Sequence, residues 1–399
     1  MKLLLTGWFG AGNAGDEAIL LAEIYALKER LKDVEFHILS FDPVRTGKLT
    51  ARLPQVVNII GIGSKQRFLK TEFRKLWRSL KDVDMVVVGG GGIFQDIYNH
   101  YPIPFFTSII WLSRFFNKKV LLHSVGIGPV RTWFGKRLCK IAANLADNIT
   151  VRDIESRDIL ISLGVKKNIE VTSDPVFLLE PSTTERVERL LINNGLTTGI
   201  KIGVCVQDLL FWSDENKRSL VEAINHIADK GAKVIFIPFG NYRDGWLRKD
   251  SSDYVDHISS RRLASMMKGS SIIIAEDLYP SELLSLIGKM DIIISMRLHG
   301  LIMGISMNIP VIGLTYRQET KIANLMKGIE QTKNLFIVDE PFSREKLLSQ
   351  VEAILSNKEY YRLFLKEKQS ILAKRAERGI ESLLKVIEDN GLLQRVVVS

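Results

Sequence analysis

Short apolar runs alternate with helical periodicity along almost the whole chain, and this alternation constrains the fold more than any single motif. Runs at 3–6, 36–40, 56–59, 85–88, 120–123, 148–151 and 169–171 have the length and composition of buried strands. Helical patterns lie between most of them, which argues for a parallel sheet wrapped on both faces. The scheme recurs at 201–206, 233–239, 271–275, 291–295, 311–314 and 335–338. A chain of 399 residues is too long for one ordinary core. The expected division is an N-terminal Rossmann-like domain at 1–178, a linker at 179–199, a C-terminal Rossmann-like domain at 200–340, and helices at 341–399. The linker carries Pro181 and polar turn residues and has no strand of its own. Doubly wound domains take ligands outside the carboxyl ends of their strands. The expected fold class is therefore α/β, two doubly wound Rossmann-like domains facing a cleft, similar to GT-B.

The first strand runs into GWFGAGNAGDE, which contains G-x-G-x-x-G at Gly10, Gly12 and Gly15. A dinucleotide site needs a strand before the glycines, a helix after them, and an acid after the second strand. Asp42 stands where that acid belongs. Two features oppose the reading. Trp8 and Phe9 lengthen the turn, and Asp16 and Glu17 bring carboxylates to the helix N-terminus where a pyrophosphate would lie. Carboxylates suit sugar hydroxyls better, as hydrogen-bond acceptors. A second loop, GGGGIFQD, puts Gly89, Gly90, Gly91, Gly92 and Asp96 after a buried strand, where four glycines admit a close approach to the backbone. A third, HSVGIGP, follows the next strand. Acceptor-side candidates are Asn13, Asp16, Glu17, Gly91 and Asp96.

In the second half, MDIIISMRLHG carries a strand directly into Arg297, Leu298 and His299 at the opening of a helix. The next strand leads to Tyr316, Arg317 and Lys321. Two arginines, a lysine and a histidine at one domain's mouth suit a multiply charged anion, with the guanidinium forking onto carboxylate or phosphate. His299 is the candidate proton carrier. Arg152 closes the strand in NITVRD and is a further anion candidate, and Asp174 in SDPVF reads as an Asp-Pro turn or a site residue. His100 and His123 border the N-terminal cleft in this reading; His37 lies in a strand, His226 in a helix and His257 in a polar loop.

Other chemistries lack support in the sequence. H-E-x-x-H, Walker A and G-x-S-x-G do not occur, and the D-x-D at Asp82–Asp84 precedes a strand, on the edge away from the site, so no metal site is expected. Cys139 and Cys205 form no C-x-x-C pair and fall in apolar patterns, consistent with a reducing compartment. The net charge of +10 attracts polyanions. Nucleic acid is not an expected partner, because no aromatic-basic recognition motif is present. Residues 67–81, RFLKTEFRKLWRSLK, form a basic amphipathic helix that either packs its apolar face on a sheet or lies in an anionic membrane interface.

In combination and order, GWFGAGNAGDE, GGGGIFQD, HSVGIGP, Arg152–Asp153, SDPVF, SMRLHG and the Tyr316–Lys321 stretch resemble the polysaccharide pyruvyl transferases, in particular bacterial cell-wall pyruvylation enzymes. The resemblance covers most of the chain. It implies a cytoplasmic enzyme, peripheral at the inner membrane face, with no cofactor beyond phosphoenolpyruvate as co-substrate. The donor would be held mainly by the C-terminal domain. The acceptor would be an amino sugar of a lipid-linked or polymer precursor on the N-terminal domain. Family positions for donor binding and catalysis match Arg152, Arg297, Leu298 and His299. The family pattern Y-x-x-K is replaced here by Y-R-Q-E-T-K, which displaces Lys321 and gives Arg317 a share of its role. Which group protonates the donor and which deprotonates the acceptor stays open. The alternatives are a GT-B glycosyltransferase with a nucleotide-sugar donor and a non-catalytic polymer-binding relative.

Overall fold

A computed structural model describes residues 1–62, 71–97, 100–207, 212–240, 255–341 and 343–392. Contacts divide the chain into two units. The first comprises Met1–Gly12, Asp16–Leu179 and Leu372–Ser399; the second comprises Asn13–Gly15 and Glu180–Ile371.

The first unit is built on β1 (Lys2–Thr6), β2 (Glu35–Ser40), β3 (Val56–Gly61), β4 (Met85–Val88), β5 (Lys119–Val125), β6 (Asn148–Val151) and β7 (Glu170–Val171). These pair in the order β3-β2-β1-β4-β5-β6-β7, all parallel. The helices between them are α1 (Ala14–Lys28), α2 (Pro43–Thr50), α3 (Phe73–Asp82), α4 (Pro102–Phe115), α5 (Trp133–Leu145) and α6 (Ile154–Ser162). The strand MVVV is buried at every position because helices cover both sheet faces. Local signals start the helices: Thr132 accepts from Gly135 N, and Asp153 from Ser156 N.

The second unit repeats the plan. Its helices begin with α7 (Glu185–Asn193), which occupies the middle of the 179–199 segment. The strands are β8 (Lys201–Cys205), β9 (Lys233–Phe236), β10 (Ile272–Ile273), β11 (Ile292–Ser295), β12 (Val311–Thr315) and β13 (Leu335–Ile337), in the order β10-β9-β8-β11-β12-β13. With them go α8 (Asp214–Asp229), α9 (Val255–Met266), α10 (Pro280–Ile287), α11 (Leu298–Ser306), α12 (Thr320–Gly328) and α13 (Arg344–Ser356). The final helix, α14 (Lys358–Asp389), contributes residues up to Ile371 to this unit and those from Leu372 to the first.

The amino ends of the strands share one device. An aspartate just ahead of a strand accepts an N–H from the first or second residue of its neighbour: Asp84 from Lys2 N at 2.7 Å, Asp147 from Val120 N at 2.9 Å, and Asp291 from Lys201 N at 2.7 Å. Asp84 of the D-x-D pair is therefore a strand-end acceptor, and Asp82 is ion-paired with Lys2 at 2.9 Å. Each unit closes over its own core. One is centred on Val86, Val88, Phe94, Phe106 and Leu122, the other on Val204, Phe236, Ile294, Leu314 and Phe336. His257, expected in a loop, lies in α9.

Candidate active site

In the first unit the strand order reverses between β1 and β4, so the loops after these two strands flank the point where such sheets bind ligands. Both loops are glycine-rich for steric reasons. Gly10, Gly12, Gly90 and Gly91 have φ of +73°, +84°, +77° and +84°. A Cβ at Gly7 would stand 2.5 Å from Gly89 O, and one at Gly90 2.8 Å from the Phe9 ring. Trp8 and Phe9, which lengthen the turn, are packing residues: Phe9 is fully buried, and Trp8 stacks on Phe41 with centroids 5.1 Å apart.

The dinucleotide reading fails on two contacts. The Glu17 carboxylate accepts from Gly10 N at 3.0 Å and is further held by the Gly12 amide, so the chain's own acid takes the amides a pyrophosphate would need. Asp42 caps α2, accepting from Val44 N and Arg45 N at 3.0 Å each. Burial pushes the Glu17 carboxyl up to about 7, against the pull of Arg45 at 3.8 Å. Asp16 sits against the second loop: a Cβ at Gly91 would lie 2.7 Å from its Oδ1.

Asp96 is spent partly on architecture. It accepts from Arg131 N at 2.7 Å, Thr132 N at 2.9 Å and Thr132 Oγ1 at 2.6 Å. Burial raises its carboxyl, but the Thr132 hydroxyl and these two amides outweigh that, and the net shift is downward. The same carboxylate lines a cavity of about 400 Å³ with His100, Ile103, Pro104, Thr132, Trp133, Phe134 and Gly135.

The sequence expectation for His123 is corrected. It is 2% exposed, with Nε2 3.9 Å from Oε1 of the equally buried Glu23. Burial lowers the His123 imidazole to about 4, so it is neutral at physiological pH, and the same burial raises the Glu23 carboxyl well above its ordinary value. Gly379 of α14 lies against His123; a Cβ there would stand 3.3 Å from its ring. His123 is therefore an interior residue, while His100 does line a cavity.

Arg152, at the end of β6, is buried and donates to Asp174 at 3.2 Å, with Asp153 at 3.7 Å. Asp174 is the turn residue as well as the partner of Arg152, because its other oxygen accepts from Val176 N at 3.1 Å.

In the second unit, SMRLHG forms a tight strand-to-helix junction. Ser295 Oγ accepts from Arg297 N at 2.9 Å and donates to Arg297 O at 2.7 Å. Arg297 is the N-cap of α11, Leu298 is half-buried, and His299 is 7% exposed in the first turn. The Arg297 guanidinium forks onto Asp256, with Nε to Oδ2 at 2.9 Å and Nη2 on Oδ1. Asp256 is fully buried and also accepts from Phe239 N at 3.0 Å and Gly240 N at 2.8 Å. Arg297 is thus oriented by an acid that the sequence pattern did not single out. Asn13–Gly15 belong to this unit: Ala14 N donates to Phe239 O at 2.8 Å, and Gly15 lies so close to the His299 ring that a Cβ there would overlap it. The Asn13 side chain accepts from Gly15 N at 3.2 Å.

β12 pairs beside β11, which puts Tyr316, Arg317 and Lys321 on the same sheet edge as Arg297 and His299. Tyr316 is buried and Lys321 half-buried in the first turn of α12. The Arg317 side chain is 66% exposed and ion-paired with Glu340. Cys139 and Cys205 are buried, and burial pushes both thiols up to about 12, which leaves them unreactive.

Two Rossmann-like units with glycine loops and cationic side chains at their strand ends define a GT-B-type α/β protein. UDP-GlcNAc 2-epimerase from Neisseria meningitidis superposes with a TM-score of 0.62 at 14% identity, covering 96% of this chain and 100% of that one. Anabaena Alr3699/HepE in complex with UDP-glucose superposes with a TM-score of 0.63 at 12% identity, covering 98% and 100%. A family model described as polysaccharide pyruvyl transferase matches residues 13–318, and the chain belongs to that family. Amylovoran biosynthesis protein AmsJ of Erwinia amylovora is 22% identical over 373 residues, 82% of this chain and 86% of that protein. The matched stretch contains Arg152, Arg297, Leu298, His299 and Arg317; Lys321 lies just beyond it.

Proposed function

We propose that this protein transfers the pyruvyl group of phosphoenolpyruvate to an amino sugar of a lipid-linked or polymer precursor of a cell-surface polysaccharide. The observation that carries the reading is the juxtaposition of Arg297 and His299 after β11, inside the family-matched region, with the Tyr316–Lys321 stretch after β12, which runs just past its end. The donor has a carboxylate and a phosphate on a three-carbon frame, and a cation-rich strand edge suits it.

In the proposed reaction the methylene carbon of the donor takes a proton and becomes a methyl group. The carbon bearing the carboxylate gains cationic character. One sugar hydroxyl attacks it, the carbon–oxygen bond to phosphate breaks, and a second hydroxyl closes the cyclic ketal. One of the two hydroxyl protons replaces the proton taken up by the methyl group, and the other leaves with phosphate. His299 is the acid–base group. Arg297, fixed by Asp256, and Lys321 bind the donor and balance charge on the departing phosphate. Arg317 serves at the rim, and Leu298 supplies an apolar wall. In the first unit, Arg152 is the anion-binding candidate. The cavity beside Asp96 offers the acceptor what a pyranose needs: the Trp133 face for its C–H surface and carboxylate and imidazole groups for its hydroxyls.

The test is phosphate release from phosphoenolpyruvate, with and without a panel of lipid-linked and nucleotide-linked N-acetylhexosamines, in wild type and His299→Ala. Acceptor-dependent release that falls by about 10²–10⁴-fold in the variant is expected. No release across the panel, together with thermal stabilisation by UDP and none by phosphoenolpyruvate, would replace this reading with the nucleotide-sugar transferase.

A further inference from the structure

The first unit carries an exposed aromatic surface that the chemistry does not use. On α3 and the end of α4 the rings touch in sequence. Phe73 lies 6.0 Å from Trp77, Trp77 lies 6.4 Å from Phe115, and Phe115 stacks on Trp111 at 6.1 Å. Trp77 is anchored edge-on to Phe116 at 4.5 Å. The outer rings are open to solvent: Phe73 is 43% exposed, Trp111 60% and Phe115 62%. A contiguous aromatic patch of this kind marks a binding surface.

Its charge identifies the partner. Arg74, Arg78 and Lys81 are exposed on α3, and Lys81 Nζ lies 5.8 Å over the Trp77 ring. The acids nearby are already engaged: Glu72 with Lys75 at 2.8 Å, Asp82 with Lys2, and Asp147 with Arg114 at 2.7 Å. Among the described residues Arg74 and Arg78 have no acidic partner. The basic stretch read from the sequence at 67–81 is described only from residue 71; 67–70 lie outside the described residues. Its aromatic surface is extended by Trp111 and Phe115 of α4, which the sequence does not link to it. Trp and Phe beside unpaired Arg and Lys match a bilayer interface, where rings sit at headgroup level and cations meet anionic lipid. No described helix is long and apolar enough to cross a membrane, so the contact would be peripheral.

We propose that the α3–α4 face docks on an anionic phospholipid surface, with Trp111 and Phe115 entering the headgroup layer and Arg74, Arg78 and Lys81 contacting lipid phosphates. The proposal concerns binding alone and stands or falls separately from the pyruvyl-transfer reading, although it fits a lipid-linked acceptor.

The experiment is co-sedimentation of the full chain with vesicles of phosphatidylglycerol and phosphatidylcholine, against phosphatidylcholine alone. Arg74→Glu/Arg78→Glu and Trp111→Ser/Phe115→Ser are compared with wild type, each first shown by its melting curve to be folded. Wild-type binding that requires the anionic lipid, weakens with salt and falls by about tenfold or more in each double variant is expected. Unchanged binding in folded variants overturns the proposal. So does absence of wild-type binding, or a concentration-dependent dimer lost in Trp111→Ser/Phe115→Ser without any vesicle binding, which would assign the face to a second copy of the chain.

Discussion

At Gly15 a missing side chain leaves room for the His299 ring. Gly15→Ala introduces one methyl group where the ring lies, and the imidazole must turn or move. The expected outcome is a loss of phosphate release of about 10²-fold with the fold retained, because a displacement near 1 Å is enough to spoil a proton transfer. Steady-state rates alongside a thermal melt check it. Glu17 makes the opposite case, a residue whose charge opposes folding. Its carboxyl is raised to about 7 by burial, so the stability it allows is fully present below its ordinary value of 4.5 and is lost as pH rises through 7. Glu17→Gln should therefore melt higher than wild type at pH 8, by up to about 3 kcal/mol, with the difference vanishing toward pH 4. Melting curves across that range read it directly.

At the scale of elements, α9 does more than cover a sheet. Asp256, at its start, holds the backbone after β9 through Phe239 and Gly240 and the guanidinium that begins α11. One buried acid thus ties the end of β9 to the candidate arginine at the end of β11. Asp256→Ala removes the fork and strands Arg297, whose side chain is 19% exposed and only partly rehydrated. A loss of about 3 kcal/mol in stability is expected, together with a rise in KM for the donor, measured by denaturant unfolding and by kinetics. Arg152 and Asp174 form the same kind of buried pair in the other unit. In both units the sequence showed the arginine at the strand's carboxyl end. Asp174 was visible beside a proline, but Asp256 was not, because nothing local in SSDYVDHISS distinguishes an interior acid from a solvated one.

For the whole molecule, the chain's end matters more than its position suggests. From Leu372 onward, α14 belongs to the first unit. There Ala376, Ile380, Leu383, Leu384 and Ile387 are buried, Glu377 pairs with Arg30 at 2.6 Å, Ser382 accepts from Asn148 at 3.2 Å, and Gly379 covers His123. Truncation after Ile371 removes apolar burial on the order of 10 kcal/mol, comparable with the entire stability of a domain. The expected result is an unfolded or aggregated first unit, seen by calorimetry as the loss of its transition. The helical tail expected at 341–399 is thus divided between units, and its last part completes the core that the amino terminus begins.

The described strands of the two sheets were legible in the sequence: central ones such as β4, β11 and β12 are buried at every position and must be continuous apolar runs, while half-exposed β3, β7 and β10 still read as short β-branched runs. The glycine loops and the Arg297–His299 junction were legible for the same reason: φ constraints and strand ends leave a mark within a few residues. The tertiary structure alone decided which partners meet. It gave Glu17 to the Gly10 amide, Asp256 to Arg297, Gly15 to His299, Arg317 to Glu340, and His123 to an interior covered by α14. Most of these pairs join residues far apart in the chain, and periodicity and composition describe each segment without saying which other segment will lie against it.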